Sequence, residues 1–447
     1  MTTNQTQSLG DIKSLFLLSL PIIISHMSSS IMLFVDRLFI AQLGADSLNS
    51  AMMTNMIVAT FTLAFISLTS IAEVFVGQYN GSKQFDIITR PVWQMIWLSL
   101  ASMALFIPLG LFTGEWVLNP THYQLGQTYY QIILTFSFLP PLISAIAAFF
   151  IGICNTRIII ISTLFANIVN IVLDYALIFG HWGFPELGMQ GAAIATIIGY
   201  FLQAFILFTA FLKSSPHKNS IGIDWEEMYS CIKIGLPTGL SYLLEIGGWT
   251  FLMYVITDYP AENLIQSMSI SILGLFYFMG DGLFKAISTQ AANIIGANQL
   301  DLLKKLLRSS FIIFFCIIIL IYLPLVFLPD PLIGLFIKDT FDATIFYEAH
   351  LALFGVWIYL ILDGSAWIYG SFLRAGGDTF TMLLINVLSA WLVALLPSIY
   401  LLKVYHVHIS FLWIYVFTSY AVCNLTLQAL RYYSGRWLKL DLHKIEN

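Results

Sequence analysis

The sequence predicts an all-α integral membrane protein of twelve transmembrane helices in two like halves, and three observations predict it. Hydrophobic residues make up 59% of the 447 positions and charged residues only 10%. Long apolar runs recur between short polar or Pro/Gly breaks along the chain. Landmarks of the first half return, in order and at similar spacing, in the second.

The composition comes first. A soluble domain carries roughly a quarter charged residues, so this chain has too little polar surface to cover a core in water. Its main solvent is expected to be lipid. A spanning helix needs roughly 20 apolar residues, and the apolar windows give twelve spans. These are 14–40, 48–76, 91–113, 129–154, 159–180 and 190–212, then 230–256, 263–292, 308–329, 345–373, 380–402 and 409–433. The start, MTTNQTQSLGDIK, has no basic stretch ahead of a short apolar core and cleavage site. The first apolar run reaches residue 40, too long for a signal peptide, so a retained first helix is expected. A net charge of −5 gives no reason to expect a nucleic-acid partner. Cys154, Cys231, Cys316 and Cys423 are far apart and form no CxxC, so packing is expected of them rather than a disulfide or metal site.

The segment KSSPHKNSIGIDWEE divides the halves. It gives an N-lobe at 1–212, a cytoplasmic linker at 213–228 and a C-lobe at 229–447. Orientation follows from Lys and Arg. With the N-terminus inside, fifteen of the 19 basic residues fall on inner segments or inner helix ends. Arg37, Lys338 and Lys403 fall outside, and Lys285 lies within a helix. Both termini are therefore expected in the cytoplasm. LSLP ending at Pro21 precedes NGSKQFD, and IGLP ending at Pro237 precedes IGANQLD. Pro21 to Gly81 is 60 residues and Pro237 to Gly296 is 59. Asn155-Thr156 matches Asp378-Thr379 after the fourth helix of each half. Six helices repeated in one orientation predict a parallel repeat about the membrane normal, with two lobes facing a central cleft.

Ionisable residues inside spans cost of order 2.5–3.5 kcal/mol or more, so each asks for a reason. Asp36, Glu73, Asp174, Glu245, Asp281, Lys285 and Asp363 lie there, and six of these seven are acids. A structural ion-pair network would balance its signs. An excess of acids fits groups that alternate between protonated, cation-bound and ionised states. Asn170 and Asp174 are four apart and share a helix face, as do Ala192 and Thr196, and Tyr359 and Asp363. Each pair alone also suits an interhelical hydrogen bond. Asp281 and Lys285 stand four apart in the favourable order for a helix ion pair, and a structural salt bridge is the better reading. A second reading makes Glu73, Asp281 and Lys285 an inter-lobe gate. Glu73 lies 8 residues before Gly81 and Lys285 lies 11 before Gly296, about one turn apart in depth.

LSLPIII, FVDRLFIAQLGADSL, DYALIFG with GAAIAT, IGLPTGLSYLLE and FLRAGGDT together resemble the multidrug and toxic compound extrusion (MATE) family, over nearly the whole chain. The resemblance implies two six-helix lobes in a V and a secondary active antiporter. Such a protein exports small organic, often cationic compounds in exchange for Na⁺ or H⁺ by alternating access. It implies coupling roles for Asp36, Asn170, Asp174 and Thr196 in the first half, and for Glu245, Tyr359 and Asp363 in the second. The second set is similar to that of the NorM-like branch. Arg37 stands where a small polar residue is commoner, and Glu73, Asp281 and Lys285 stand where the family is usually uncharged. Trp249, Tyr254, Trp357 and Trp367 suit either cation–π contacts in a drug cavity or packing, and packing is the plainer expectation.

Other classes fit less well. The loop GQYNGSKQFDIITR lacks the basic signature of major-facilitator transporters. A lipid-linked precursor flippase would add helices or line its cleft with more bases. The eight His are scattered and no Walker A motif occurs, so neither an enzyme nor an ATP-driven pump is expected. No cofactor is expected beyond the coupling ion, and no metal beyond a transported Na⁺. A monomer in a bacterial inner membrane is the expected form.

Overall fold

The computed structural model describes residues 9–117, 120–214, 221–336 and 343–439. Lys338, residues 215–220 of the 213–228 connection and both chain ends lie outside them. The described residues are helical, with no strand among them.

Eleven helices are long and apolar enough to cross a membrane. They are α1 (Ile12–Gln42), α2 (Asp46–Gly81), α3 (Arg90–Phe112), α4 (Gly126–Gly152), α5 (Arg157–Phe179), α6 (Met189–Ser214), α7 (Trp225–Ile256), α9 (Asp301–Phe327), α10 (Ala343–Ala375), α11 (Thr379–Tyr405) and α12 (Ile409–Tyr433). The twelfth, α8 (Pro260–Gly296), bends by 43° between Gly274 and Met279. The largest departure from the apolar windows is α9, which starts at residue 301 rather than 308. Its first two turns carry Lys304, Lys305 and Arg308 but bury Leu303 and Leu306 on one face. An amphipathic turn of that kind is helical without being apolar.

Several irregularities have local causes. Pro324 and Pro397 lack an N–H and displace the carbonyl four residues back. Next to each, α9 and α11 widen into π-turns at Leu323–Phe327, Ala390–Leu395 and Leu401–Tyr405. In α2 the helix breaks at Ser70–Ile71, where the Thr69 hydroxyl turns back to the Phe65 carbonyl (2.9 Å) and across to that of Pro141 (3.1 Å).

The repeat is visible in how helices end. After α2, Lys83 takes φ +64°, its N–H bonds the Asn80 carbonyl (3.3 Å) and the Gln84 N–H bonds that of Tyr79 (2.9 Å). After α8, Asn298 takes φ +54° and the same two bonds run to Ile295 (2.9 Å) and Ile294 (3.1 Å). Cys154 (φ +58°) after α4 and Gly377 (φ +75°) after α10 repeat the arrangement, with Asn155 bonding Phe150 (2.8 Å) and Asp378 bonding Leu373 (2.9 Å). All four are Schellman caps. Three of them lack the glycine that usually marks one.

The chain forms two compact units, one of residues 20–243 and one of residues 1–19 with 244–447. In the first, the core gathers around Ile40, Phe106, Tyr130, Leu134 and Ile178. In the second, the fully buried Phe372 packs on Tyr432 and Trp437, and the fully buried Phe417 packs on Trp249 and Trp413.

Candidate functional site

Each unit buries, within its spans, a cluster of carboxyl and hydroxyl groups around acids singled out above. In the 20–243 unit, close approach of α5 and α6 builds it. A Cβ on Gly191 would lie 2.6 Å from the Leu177 carbonyl, and one on Gly199 would lie 3.3 Å from the Asn170 Cβ. With both positions bare, the helices touch. The Asn170 amide then donates to Asp174 Oδ2 (3.1 Å), while its oxygen accepts from the backbone N–H of Thr196 (3.1 Å). Two turns before Asp174 on the same face of α5, Asn167 Nδ2 donates to Ser28 Oγ of α1 (2.8 Å) and ties the two helices.

Asp36 enters from α1. It is 3% exposed, Asp174 is 0% and Asn170 is 1%. The charges of Asp36 and Asp174 act on each other and on the hydroxyl of Tyr129, and Asp36 also acts on Tyr200 of α6. Tyr129 donates onward to Asn55 Oδ1 (3.2 Å). Among the described residues, Asp36 Oδ1 and Asp174 Oδ1 have no hydrogen-bond partner. Buried carboxylate oxygens left open are costly unless they hold a proton or a cation. Arg37, next in sequence, is exposed and makes no ion pair among the described residues. So Asp36, Asn170, Asp174 and the backbone of Thr196 come together, with Tyr129, Asn55 and Tyr200 around them.

In the other unit the centre is Asp363 of α10, 2% exposed. Its Oδ2 accepts from the Tyr277 hydroxyl of α8 (2.5 Å) and from Trp367 Nε1 one turn along α10 (3.1 Å). The Tyr359 hydroxyl reaches both Asp363 and Tyr277. The charge of Glu245 in α7 acts on Tyr359 and on Tyr420 of α12. A Cβ on Gly364 would fall 2.3 Å from the Phe314 ring, so only glycine there lets α9 close on α10 beside Asp363. The result is a narrow cleft of about 30 Å³, lined by Tyr277, Phe284, Phe314, Leu360, Asp363 and Trp367. That is room for about one water. Tyr359 thus stands beside Asp363, and Glu245 is within electrostatic reach of Tyr359 and Tyr420.

Glu73 is fully buried in the 20–243 unit. Asp281 and Lys285 form an ion pair along α8 at 3.2 Å. No group of three or more His, Cys, Asp or Glu suited to a metal ion occurs among the described residues.

Reading the sequence alone left out Tyr277, Tyr420, Tyr129 and Tyr200, and favoured packing for Trp367. Trp367 had a signal, since it stands four residues after Asp363. The tyrosines sit on other helices, and nothing local marks them.

The MatE family model matches residues 21–176 and 237–400. A probable multidrug resistance protein NorM of Thermotoga maritima is 22% identical over 437 residues, covering 96% of this chain and 93% of that one. A probable multidrug resistance protein YoeA of Bacillus subtilis is 23% identical, covering 97% and 96%. Among solved structures, an Asp-to-Asn mutant of the Vibrio cholerae MATE transporter VcmN superposes with a TM-score of 0.85 at 19% identity, covering 97% of this chain and 98% of that one. A MOP-superfamily transporter of Pyrococcus furiosus gives 0.84 at 16% identity, covering 98% of each chain.

Proposed function

The chain belongs to the MatE family, and on that premise we propose that it exports small organic compounds, many of them cationic, in exchange for Na⁺ or H⁺ by alternating access. Its similarity to probable multidrug resistance proteins supports multidrug export. The observation that carries the coupling is the pair of buried carboxyl clusters, one in each unit. Among the described residues none of Asp36, Asp174 and Asp363 is in a salt bridge, so each is open to a proton or a hard cation. An ion that binds one state of the protein better than the other shifts the balance between them, and a substrate with the opposite preference shifts it back.

In this reading Asp36, Asn170, Asp174 and Thr196 serve the coupling ion, as do Glu245, Tyr359 and Asp363. The protein works as a monomer with its termini in the cytoplasm, without ATP. The test is efflux of a fluorescent organic cation from proteoliposomes, driven separately by sodium and proton gradients. Asp36→Asn and Asp363→Asn are each expected to abolish ion-driven efflux at normal expression. Full efflux in both variants overturns the assignment.

The gate role for Glu73, Asp281 and Lys285 belongs to the same proposal. Exchanging the charges, Glu73→Lys with Lys285→Glu, is expected to restore transport lost in each single variant. An exchange that performs no better than the single variants removes the gate.

A further inference from the structure

Helix α9 uses two neighbouring faces of its basic end in different ways. On one face, Lys305 pairs with Asp11 (2.5 Å), Ser309 donates to the Gly10 carbonyl (2.7 Å), and the Gly10 N–H reaches Gln290 Oε1 (3.0 Å). That face holds the start of α1. The next face carries Lys304, Arg308, Phe311, Ile312, Phe315 and Ile319, spaced three and four apart in one stripe. With Tyr369 of α10 and Tyr433 of α12 it lines an open groove of about 540 Å³. Lys304 and Arg308 are exposed, and neither makes an ion pair among the described residues.

The groove has a polar end and an apolar run of definite length. Arg308 to Ile319 is eleven residues, about 16 Å along a helix. That is close to half of a hydrocarbon core about 30 Å thick. The groove is therefore one leaflet deep, with its two cations at headgroup level. Tyr433 at the end of α12 stands at the same level, and its hydroxyl faces that of Tyr369 at 3.4 Å. Phe311 stacks with Phe315 (5.9 Å) and meets Tyr369 edge-on (5.7 Å), which joins the α9 stripe to α10 along the groove wall. Ile312, Phe315 and Ile319 are all exposed, so the run opens sideways to the bilayer.

We propose that this groove holds an anionic phospholipid, its phosphate between Lys304 and Arg308 and an acyl chain along Ile312, Phe315 and Ile319. Two unpaired cations at a membrane surface attract an anionic headgroup and repel a cationic amphiphile. A volume of about 540 Å³ lies within the roughly 300–1,000 Å³ of small-molecule sites, enough for one acyl chain along the groove. The site involves none of the carboxyl clusters, and it stands or falls apart from transport.

The test is native mass spectrometry of the full chain in detergent, titrated with phosphatidylglycerol or with phosphatidylcholine of the same acyl chains. Phosphatidylglycerol is expected to be retained preferentially. The double variant Lys304→Gln/Arg308→Gln is expected to weaken its retention about thirtyfold, from about fivefold per basic residue at an anionic surface. Ile319→Asn keeps both charges and is expected to weaken retention through the acyl contact alone. Equal retention of the two lipids, or an unchanged double variant, overturns the proposal. So does inorganic phosphate competing as well as the lipid, because the groove would then be a site for a free anion. Cys316 lines the same groove and is exposed. Its labelling by a thiol reagent is expected to slow with bound lipid in the wild type and not in the double variant.

Discussion

Tyr277 and Asp363 lie 86 residues apart in sequence and 2.5 Å apart in space, hydroxyl to Oδ2. The contact joins α8 to α10 at the carboxyl on which the second cluster is built. A hydrogen bond to a charged acceptor contributes about 1.5–3 kcal/mol. Tyr277→Phe removes it without changing the ring. The variant is expected to fold with a lowered midpoint of thermal unfolding and to need a different ion concentration for half-maximal efflux. An unchanged ion dependence would reduce Tyr277 to a packing residue.

Close helix approach builds the first cluster, so it should fail when the approach is blocked. Gly191→Ala places a methyl 2.6 Å from the Leu177 carbonyl, where the nearest atoms are backbone and cannot step aside. Overpacking of this kind costs about 1–3 kcal/mol. Gly199→Ala meets the Asn170 Cβ at 3.3 Å and the Ala166 carbonyl oxygen at 3.5 Å, both looser contacts, and is expected to cost less. Thermal unfolding in detergent ranks the two, and the reverse order would contradict this account of the α5–α6 contact.

A pH dependence is expected from the turn before α12. His408 Nδ1 meets Glu262 Oε1 at 2.8 Å, and Glu262 Oε2 also accepts from the Ile409 N–H at 2.6 Å. The hydrogen bond to Glu262 raises the pKa of His408, the charges of Glu262 and Glu348 add to it, and partial burial opposes. A histidine raised in the folded state stabilises it fully below the ordinary value of about 6.5. That contribution is lost as pH rises through the raised native value. Thermal stability should therefore decline on going upward through neutral pH, and His408→Gln should flatten the decline. A steeper decline in the variant would reverse the sign of the argument.

These sites were legible in unequal measure. Apolar windows marked the spans because lipid demands apolar side chains, yet they missed the first two turns of α9, where basic residues flank buried leucines. Asn170 beside Asp174 was legible from a spacing of four. Its bond to the Thr196 backbone was not, since it depends on how the loop after α5 returns the chain. Asp363 stood out as an acid in an apolar run, whereas the tyrosines around it are on helices far away in sequence. His408 had no carboxylate near it in sequence, and its partner lies 146 residues earlier. The π-turns of α11 flank Pro397, which marks an irregularity in the helix but not its kind.

The paired helix ends carry a consequence of another kind. Gly81-Ser82-Lys83-Gln84 and Gly296-Ala297-Asn298-Gln299 share two of four letters but one backbone path. The ends at Cys154 and Gly377 share a path with still less likeness of side chain. A doubled ancestral gene would leave such a trace: letters drift while bends stay, because a changed bend would redirect every helix after it. The four bends then act as interchangeable joints. Grafting the Asn298 joint in place of the Lys83 joint would swap parts from one stock.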